Sequence, residues 1–420
     1  MSHKKFSILN AMIVSSLGTG ALLHAADSQL PVSPFIVPPP GKAGAGNTPA
    51  TTGNSPAPTP DNGPQFTGFV DTTYNYDLNR PLSGVNKYYS FDSQANTIAL
   101  NNAQLELTGA PKGDAAITYM LKINFGTDAT AESSTVNGVA TNTSNMDVEE
   151  AWGWYVDPVS KMGLKVGKFV TYEGTEVIES INDPTITRGL LFSNLEPYTH
   201  TGALLTWTGS VMDYAVGVVN GWDELTASDS GKTVVGKIGV TLGDPLALTI
   251  SALYGPQASV TPGAAIFEPA GYDSNKRGSI DITGLTKLIP KWQVTFQANF
   301  GWEKNAPGAA AAAAAAGTPL TPNAQSTWFG LGCQPVYAWN PTTNVAFRIE
   351  VLDDVDGART GLKQEIWSFS MAPGINITPH FLLRAEARLD VSNNNMAYTD
   401  HAGNPVKIQS TIATEAIYNF

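Results

Sequence analysis

The chain has 420 residues and a formal net charge of −12, with 24 Lys and Arg against 36 Asp and Glu, which argues against nucleic acid as a partner. Charged residues make up only 14% of the chain, whereas an ordinary soluble protein has roughly a quarter. Beyond the N-terminal region there is no apolar run of about 18 residues, which argues against a helical membrane protein. A closed barrel of alternating strands remains as a way to cross a bilayer.

The first 26 residues have the layout of a secretory signal peptide. Lys4 and Lys5 give a positive start, residues 6–23 carry no charge, and Ala25 and Ala26 offer a cleavage site. The alternative is a transmembrane anchor, but the stretch is short and interrupted by Ser, Asn, Thr and Gly. The pattern predicts an exported protein.

Residues 27–64 form a second region, rich in Pro, Gly, Ala and Thr. Such a composition does not pack a core, and it predicts a disordered linker. A cell-wall contact is the alternative to a plain spacer.

From residue 65 onward the apolar residues recur with a period of two. In the clearest segment, Trp292, Val294, Phe296 and Phe300 alternate with polar residues. Alternation of this kind predicts a strand with one wet and one apolar face. We count about sixteen such segments, beginning near Phe66, Ile98, Ala115, Val148, Gly163, Gly202, Val211, Thr233, Leu246, Gly278, Trp292, Thr327, Asn344, Gln364, Phe381 and Lys407.

Short turns and long polar connections alternate between these segments. Asp157-Pro158 and Asn340-Pro341 are typical of the turns, whereas residues 78–96 and 303–325 are typical of the long connections. This arrangement predicts an all-β fold for residues 65–420: a transmembrane, antiparallel, up-and-down β-barrel of about 16 strands (14–18) with periplasmic turns and outer loops. The run Ala309–Ala316 lies in one long connection, where a short helix is possible, and we assign it no function.

The sequence contains no pattern of catalytic chemistry. We find no nucleophile elbow, Walker motif or helical metal pair, and His200, His380 and His401 are not spaced as ligands. The single cysteine, Cys333, is more consistent with a small strand residue than with a catalytic thiol. We therefore predict no enzyme, catalytic residue, cofactor or metal site.

Several charged residues fall on the polar face of the predicted strands. An outward charge would cost roughly 2–4 kcal/mol at mid-bilayer, so these side chains should face the lumen. They allow two interpretations, an electric field that selects solutes and a set of cross-strand ion pairs, and both can hold. The candidate pore-lining residues are Glu106, Lys122, Arg348, Glu350, Arg384, Glu386 and Arg388.

Between residues 170 and 201 the alternation stops. The stretch is long, carries apolar residues, and contains Glu173, Glu176, Glu179 and Arg188. A loop this apolar is unfavourable in water, so we predict that it folds into the barrel and constricts it. An external loop or a subunit-contact loop is the alternative.

This part of the chain resembles the OmpL-like β-barrel porin family. That family has, in this order, a GKF-type strand, a G-x-E element, an asparagine-rich turn and a P-[FY]-T-H-x-G element. The corresponding residues are Val166-Gly167-Lys168-Phe169, Tyr172-Glu173-Gly174-Thr175-Glu176, Asn182-Asp183-Pro184, Arg188 and Pro197-Tyr198-Thr199-His200-Thr201-Gly202. The resemblance covers most of residues 65–420. It implies a passive channel, identifies no solute and supplies no catalytic residues.

The chain ends on Phe420, with Tyr418 and Ile412 on the same face. This ending resembles the C-terminal strand that the barrel-assembly machinery recognises. We therefore interpret Phe420 as an assembly signal, and an ordinary edge strand is the alternative.

Together these features predict a porin of the bacterial outer membrane, a water-filled channel for diffusion of small hydrophilic solutes. The predicted partners are outer-membrane lipid, the assembly machinery, the solutes and, by analogy with other barrels, two further copies in a homotrimer. The alternative function is an exported non-channel β-protein, such as a surface adhesin or a carbohydrate-binding module.

Overall fold

The structure is a computed structural model. It describes residues 64–110, 116–133, 135–136, 139–140, 145–227, 231–243, 246–257, 275–317 and 324–420. The predicted signal peptide and nearly all of the predicted linker lie outside the described residues, so both remain predictions.

Sixteen strands form one closed barrel in chain order. The prediction of an all-β barrel of about sixteen strands is therefore confirmed. The strands are β1 (Gln65–Asp77), β2 (Thr97–Gly109), β3 (Ile117–Phe125), β4 (Met146–Val156), β5 (Met162–Val170), β6 (Thr199–Thr208), β7 (Met212–Val219), β8 (Thr233–Thr241), β9 (Leu246–Pro256), β10 (Lys276–Thr286), β11 (Trp292–Lys304), β12 (Gln325–Asn340), β13 (Thr343–Asp354), β14 (Gln364–Thr378), β15 (Phe381–Ser392) and β16 (Ile408–Asn419).

The barrel closes by antiparallel pairing of its first and last strands. Phe69 lies opposite Asn419, and the pairing runs to Asp77 opposite Thr411. Beyond the last paired residue, the Phe420 N–H donates to the Gly68 carbonyl at 3.0 Å. Closure removes the free sheet edges that a bilayer does not tolerate.

The two faces of the wall follow the sequence alternation. In β11, Phe296 and Phe300 are exposed on the outside, whereas Gln297 and Asn299 are buried on the inside. An apolar exterior with a polar interior suits a barrel whose outer face contacts lipid.

Among the described residues, four short helical segments lie in the connections between strands. They are α1 (Thr127–Ala131), a 3₁₀ turn (Ser180–Asn182), α2 (Leu190–Leu195) and α3 (Pro307–Ala315). The described part of the connections also holds five short strands outside the barrel: Thr135–Val136, Val139–Ala140, Glu224–Thr226, Tyr398–Thr399 and Pro405–Val406. Within the described part of the chain, no helix has both the length and the apolar character needed to span a membrane.

A hydrophobic cluster fills the inside of the barrel at the end that carries the long connections. Leu190, Leu191 and Leu195 of α2 pack there against Trp328 of β12. The alanine run contributes as well, because Ala309 of α3 belongs to the same cluster. The barrel therefore has part of its core where an open tube would hold water.

Candidate functional site

Residues 171–198, here called the crossing segment, connect β5 to β6 and extend across the lumen. Glu179 of this segment pairs with Lys122 of β3. Glu176 pairs with Arg348 of β13, with Oε1 and Nη1 2.8 Å apart. Because β3 and β13 lie on well-separated parts of the barrel wall, the segment spans the interior between them.

Apolar residues and a carboxylate hold the helix of the crossing segment in place. Leu190, Leu191 and Leu195 are buried, which explains why this loop does not remain in solvent. Glu350 of β13 accepts hydrogen bonds from the Leu190 N–H at 2.8 Å and the Leu191 N–H at 3.4 Å. A side chain at Gly189 would overlap that carboxylate, so glycine permits the close approach.

Arg348 makes the densest set of contacts with the crossing segment. Its Nη1 donates to Glu176 and to Thr185 Oγ1, both at 2.8 Å, and to the Thr187 carbonyl. It also lies 3.3 Å from a Glu350 carboxylate oxygen and 3.6 Å from one of Glu386. The guanidinium is fully buried, so these bonds replace the water that it lost.

Arg384 and Glu386 of β15 continue the same contact. Arg384 pairs with Glu415 of β16, and it donates to Ser180 Oγ at 2.6 Å and to the Ser180 carbonyl at 2.9 Å. Glu386 accepts from the N–H groups of Ile186 at 2.8 Å and Thr187 at 2.9 Å. Two of the four charges on this strand therefore bind the crossing segment directly.

Arg388, the third of these charges, contacts a different loop. Its guanidinium lies 3.6 Å from the ring centroid of Tyr89, in the connection between β1 and β2. Its Nε is 3.2 Å from Asp390 Oδ2, and Asp390 Oδ1 accepts a hydrogen bond from Tyr89 at 2.8 Å. Arg388 thus fixes the first long connection to the wall.

Lys122 lies at the centre of a second group of charges, on the opposite side. Its Nζ is 3.1 Å from Glu149 and 3.2 Å from Glu150, both on β4, and it also contacts Glu179. Glu106 lies opposite Lys122 in the pairing of β2 with β3 and is half-buried. This group ties the crossing segment to the wall of β2–β4.

Arg188 joins the crossing segment to two other connections. Its Nη2 donates to Asp128 of α1 at 3.1 Å, and its other nitrogens lie 3.7 Å from Asp92 and 3.8 Å from Asp183. Burial raises the pKa of Asp128 to about 7, although the charge of Arg188 opposes that shift. The positive charge of Arg188 therefore faces the carboxylates of Asp128, Asp92 and Asp183.

Toward β10 and β11 the crossing segment presents carboxylates instead. Glu173 accepts a hydrogen bond from Ser279 Oγ at 2.6 Å, and Gln297 Nε2 donates to Glu196 at 3.0 Å and to Asp281 at 2.8 Å. Among the described residues no Lys or Arg forms an ion pair with Glu196 or Asp281. Burial, and next the charge of Asp281, raise the pKa of Glu173 to about 8 and that of Glu196 well above its ordinary value.

The geometry does not indicate a metal centre. Among the described residues no three His, Cys, Asp or Glu side chains are placed to hold a metal ion. The charged residues instead hold the crossing segment against the barrel wall by ion pairs and hydrogen bonds.

A family model described as "Putative beta-barrel porin-2, OmpL-like" matches residues 64–420, which include the whole barrel and the crossing segment. The chain belongs to this porin family. The resemblance found in the sequence is therefore confirmed, and the protein is a porin of the bacterial outer membrane. No curated protein matches the chain significantly.

Solved structures resemble the porin in fold. The anion-selective porin of Comamonas acidovorans has a TM-score of 0.54 at 9% identity, covering 85% of this chain and 99% of that one. The trimer form of OmpT, an outer-membrane protein of Vibrio cholerae, has a TM-score of 0.52 at 11% identity, covering 85% and 99%. The channel DcaP of Acinetobacter baumannii has a TM-score of 0.52 at 12% identity, covering 85% and 97%. At these identities the likeness shows the fold alone.

Sequence reasoning missed several partners of the porin's predicted site residues. Glu149 and Glu150 are consecutive, yet both are buried inside, because a register shift opposite Lys122 places a bulge in β4. Strict alternation would have sent one of them outward. Asp281 and Glu415 lie on regular inward positions, so their alternation was a usable signal.

Proposed function

We propose that this porin passes small hydrophilic solutes by diffusion and that the crossing segment is its constriction. The observation that carries the proposal is the span of residues 171–198 between opposite walls, with buried ion pairs to Lys122 and Arg348. The charges on β13 and β15 then act mainly as anchors, because Arg348, Arg384 and Glu386 are engaged by the segment.

Solutes pass beside the crossing segment in this proposal. Arg348, Glu350, Arg384 and Glu386 on β13 and β15 are in close contact with the segment. The Lys237 side chain on β8 keeps 21% of its surface exposed, and we propose that solutes pass on its side of the lumen.

Planar bilayers test the proposal with the purified full chain. We expect discrete conductance steps, and a higher conductance when the paired variant Arg348→Met and Arg384→Met loosens the segment. Lys291→Gln, in an exposed short turn, is the matched control and should leave the steps unchanged. A wild-type chain that inserts without conducting would refute the channel.

We infer further that the porin is not an enzyme and forms a homotrimer. The trimer form of OmpT has a similar fold, so a homotrimer of this porin is supported by analogy. Sedimentation in detergent should give three copies per particle, and a stable monomer would contradict it.

The adhesin or carbohydrate-binding alternative is less well supported. It requires a polar outer face, whereas exposed Phe296, Phe300 and Phe369 lie on the outside of the barrel. Extraction from membranes without detergent would favour the alternative.

The C-terminal residue supports our proposal for assembly. Phe420 is exposed on the outer face beside Tyr418, and a side chain at Gly68 would meet its ring at 2.7 Å. Phe420→Ala should lower the amount of barrel in the outer membrane, and an unchanged amount would contradict the signal.

A further inference from the structure

Lys165 of β5 is an inward-facing lysine to which the described residues offer no acceptor. Its neighbours Leu164 and Val166 are exposed on the outer face, so alternation directs Lys165 into the barrel, where only 6% of it is exposed. Among the described residues its ammonium has no hydrogen bond or ion pair. It lies instead 4.1 Å from the ring centroid of Trp152 and 5.5 Å from that of Phe169.

Other buried lysines of the wall are satisfied. Lys122 contacts three glutamates, and Lys168 is 2.7 Å from Asp147 and 2.6 Å from the Val148 carbonyl. A buried ammonium without an acceptor is costly, and contact with aromatic rings offsets only part of that cost. Unlike Lys122 and Lys168, Lys165 therefore has no carboxylate or carbonyl acceptor among the described residues.

The nearest carboxylate does not supply the missing acceptor. Glu150 attracts the charge of Lys165, but its Oε1 is 3.2 Å from Lys122 Nζ and its Oε2 accepts from Trp152 Nε1 at 2.9 Å. Lys165 Nζ is also not among the closed-off polar atoms, unlike the three guanidinium nitrogens of Arg388. An acceptor that comes from the lumen can therefore reach it.

A second lysine faces the same part of the lumen. Lys237 lies on β8, three strands along the wall from β5, and its Nζ is 2.7 Å from Asp213 and 4.9 Å from the ring centroid of Tyr172. Trp152 and Tyr172 pack against one apolar cluster that includes Leu204. Two ammonium groups thus border an aromatic surface at the point where the crossing segment leaves β5.

We propose that Lys165, Lys237 and the rings of Trp152 and Tyr172 form a binding step for small organic anions with a carboxylate beside an apolar or aromatic group. The ammonium of Lys165 donates to the carboxylate, and the ammonium of Lys237, held by Asp213, is a second donor. The rings contact the apolar part of the solute. This inference rests on the proposed channel function and names one class of solute for it.

Sodium benzoate is the probe, added to single wild-type channels conducting potassium chloride. We expect a saturable fall in conductance. In Lys165→Met the half-blocking concentration should rise at least ~10-fold, because a charge-assisted hydrogen bond is lost. Lys165→Arg should restore most of the block, and Lys291→Gln, which removes the same charge elsewhere, should not alter it.

A block that is unchanged in Lys165→Met refutes the binding step while leaving the channel intact. Absence of any wild-type conductance refutes the proposed function first, and the step with it. If Lys165→Met fails to form a heat-modifiable barrel, calorimetric titration of benzoate into detergent-solubilised wild type and Lys237→Met decides. If wild type binds benzoate and Lys237→Met binds it more weakly, the binding step is supported. If the two bind equally, or neither binds, the binding step is overturned.

Discussion

The crossing segment meets the barrel wall in two chemically different ways. Toward β13–β16 its carboxylates and backbone groups bind Arg348, Arg384, Glu350 and Glu386, so buried charge meets opposite charge or a hydrogen-bond donor. We call this the arginine face. Toward β10 and β11 the segment brings Glu173 and Glu196 against Asp281, and the bonds come from neutral donors. We call this the carboxylate face.

The comparison shows how one segment can be both fixed and adjustable. Opposite buried charges define a position but are costly when one partner is lost. Like charges in the same kind of interior are stable only when protons are shared among them. The arginine face should therefore set where the segment lies, and the carboxylate face should set how firmly it is held at a given pH.

Loss of Arg348 should have the largest effect. Arg348→Met leaves Glu176, Glu350 and Glu386 with uncompensated charge inside the barrel. Removal of one partner from a buried pair costs about 3–5 kcal/mol. We expect a lower thermal midpoint in detergent and larger, noisier conductance steps, measured on the same preparation. An unchanged midpoint would show that the arginine face does not anchor the segment.

Paired amide substitutions on the two faces should differ in their cost to stability. Glu386→Gln weakens the acceptor for the N–H groups of Ile186 and Thr187, and it should cost about 1–3 kcal/mol. Asp281→Asn also weakens an acceptor, for the Gly174 N–H at 3.1 Å and for two side-chain amides, but it removes a charge that faces Glu173 and Glu196, so its net cost at alkaline pH should be smaller. Thermal midpoints at pH 8.5 compare the two. Equal losses in both variants would abolish the distinction between the faces.

The strands of this barrel could be predicted well from sequence, and the contacts of the segment could not. Predicted starts near Gly202 and Gly278 compare with observed starts at Thr199 and Lys276, because a period of two survives in any strand that separates lipid from lumen. The partner of Glu176, Arg348 of β13, depends on the register of strands on the far wall, which local alternation does not encode.

Local irregularities account for the other omissions. The bulge at Glu149 turns two consecutive glutamates inward, against the alternation. The inward position of Lys165 follows from its neighbours, but its lack of an acceptor depends on Glu150 being engaged by Lys122 and Trp152.

The carboxylate face should make stability depend on pH. The pKa of Glu173 rises from 4.5 to about 8 in the folded chain, so the folded state binds the proton more tightly than the unfolded state. The contribution of this group is therefore complete below about 4.5 and is lost as the pH rises through about 8. Thermal midpoints between pH 5 and 9 should fall with pH in wild type.

Two variants control that slope. Glu173→Gln should make the slope smaller, because one titrating group is gone while Glu196 and Asp128 remain, whereas Glu386→Gln on the arginine face should keep it. If Glu173→Gln left the slope unchanged, the pH dependence of the thermal midpoint would come from other groups.

The smallest effect should come from Ser279, whose hydroxyl donates to Glu173 at 2.6 Å and favours its ionised form. In Ser279→Ala the pKa of Glu173 should rise further, by less than ~1 unit, since one hydrogen bond contributes about 1 kcal/mol. The thermal midpoint should therefore fall mainly at alkaline pH. Ser370→Ala is the matched control, because Ser370 Oγ accepts from Arg348 Nη2 at 3.3 Å and Arg348 keeps its charge at every pH tested. Ser370→Ala should lower the thermal midpoint equally at every pH between 5 and 9. If Ser279→Ala did the same, the hydrogen bond of Ser279 would not contribute to the pH dependence of Glu173.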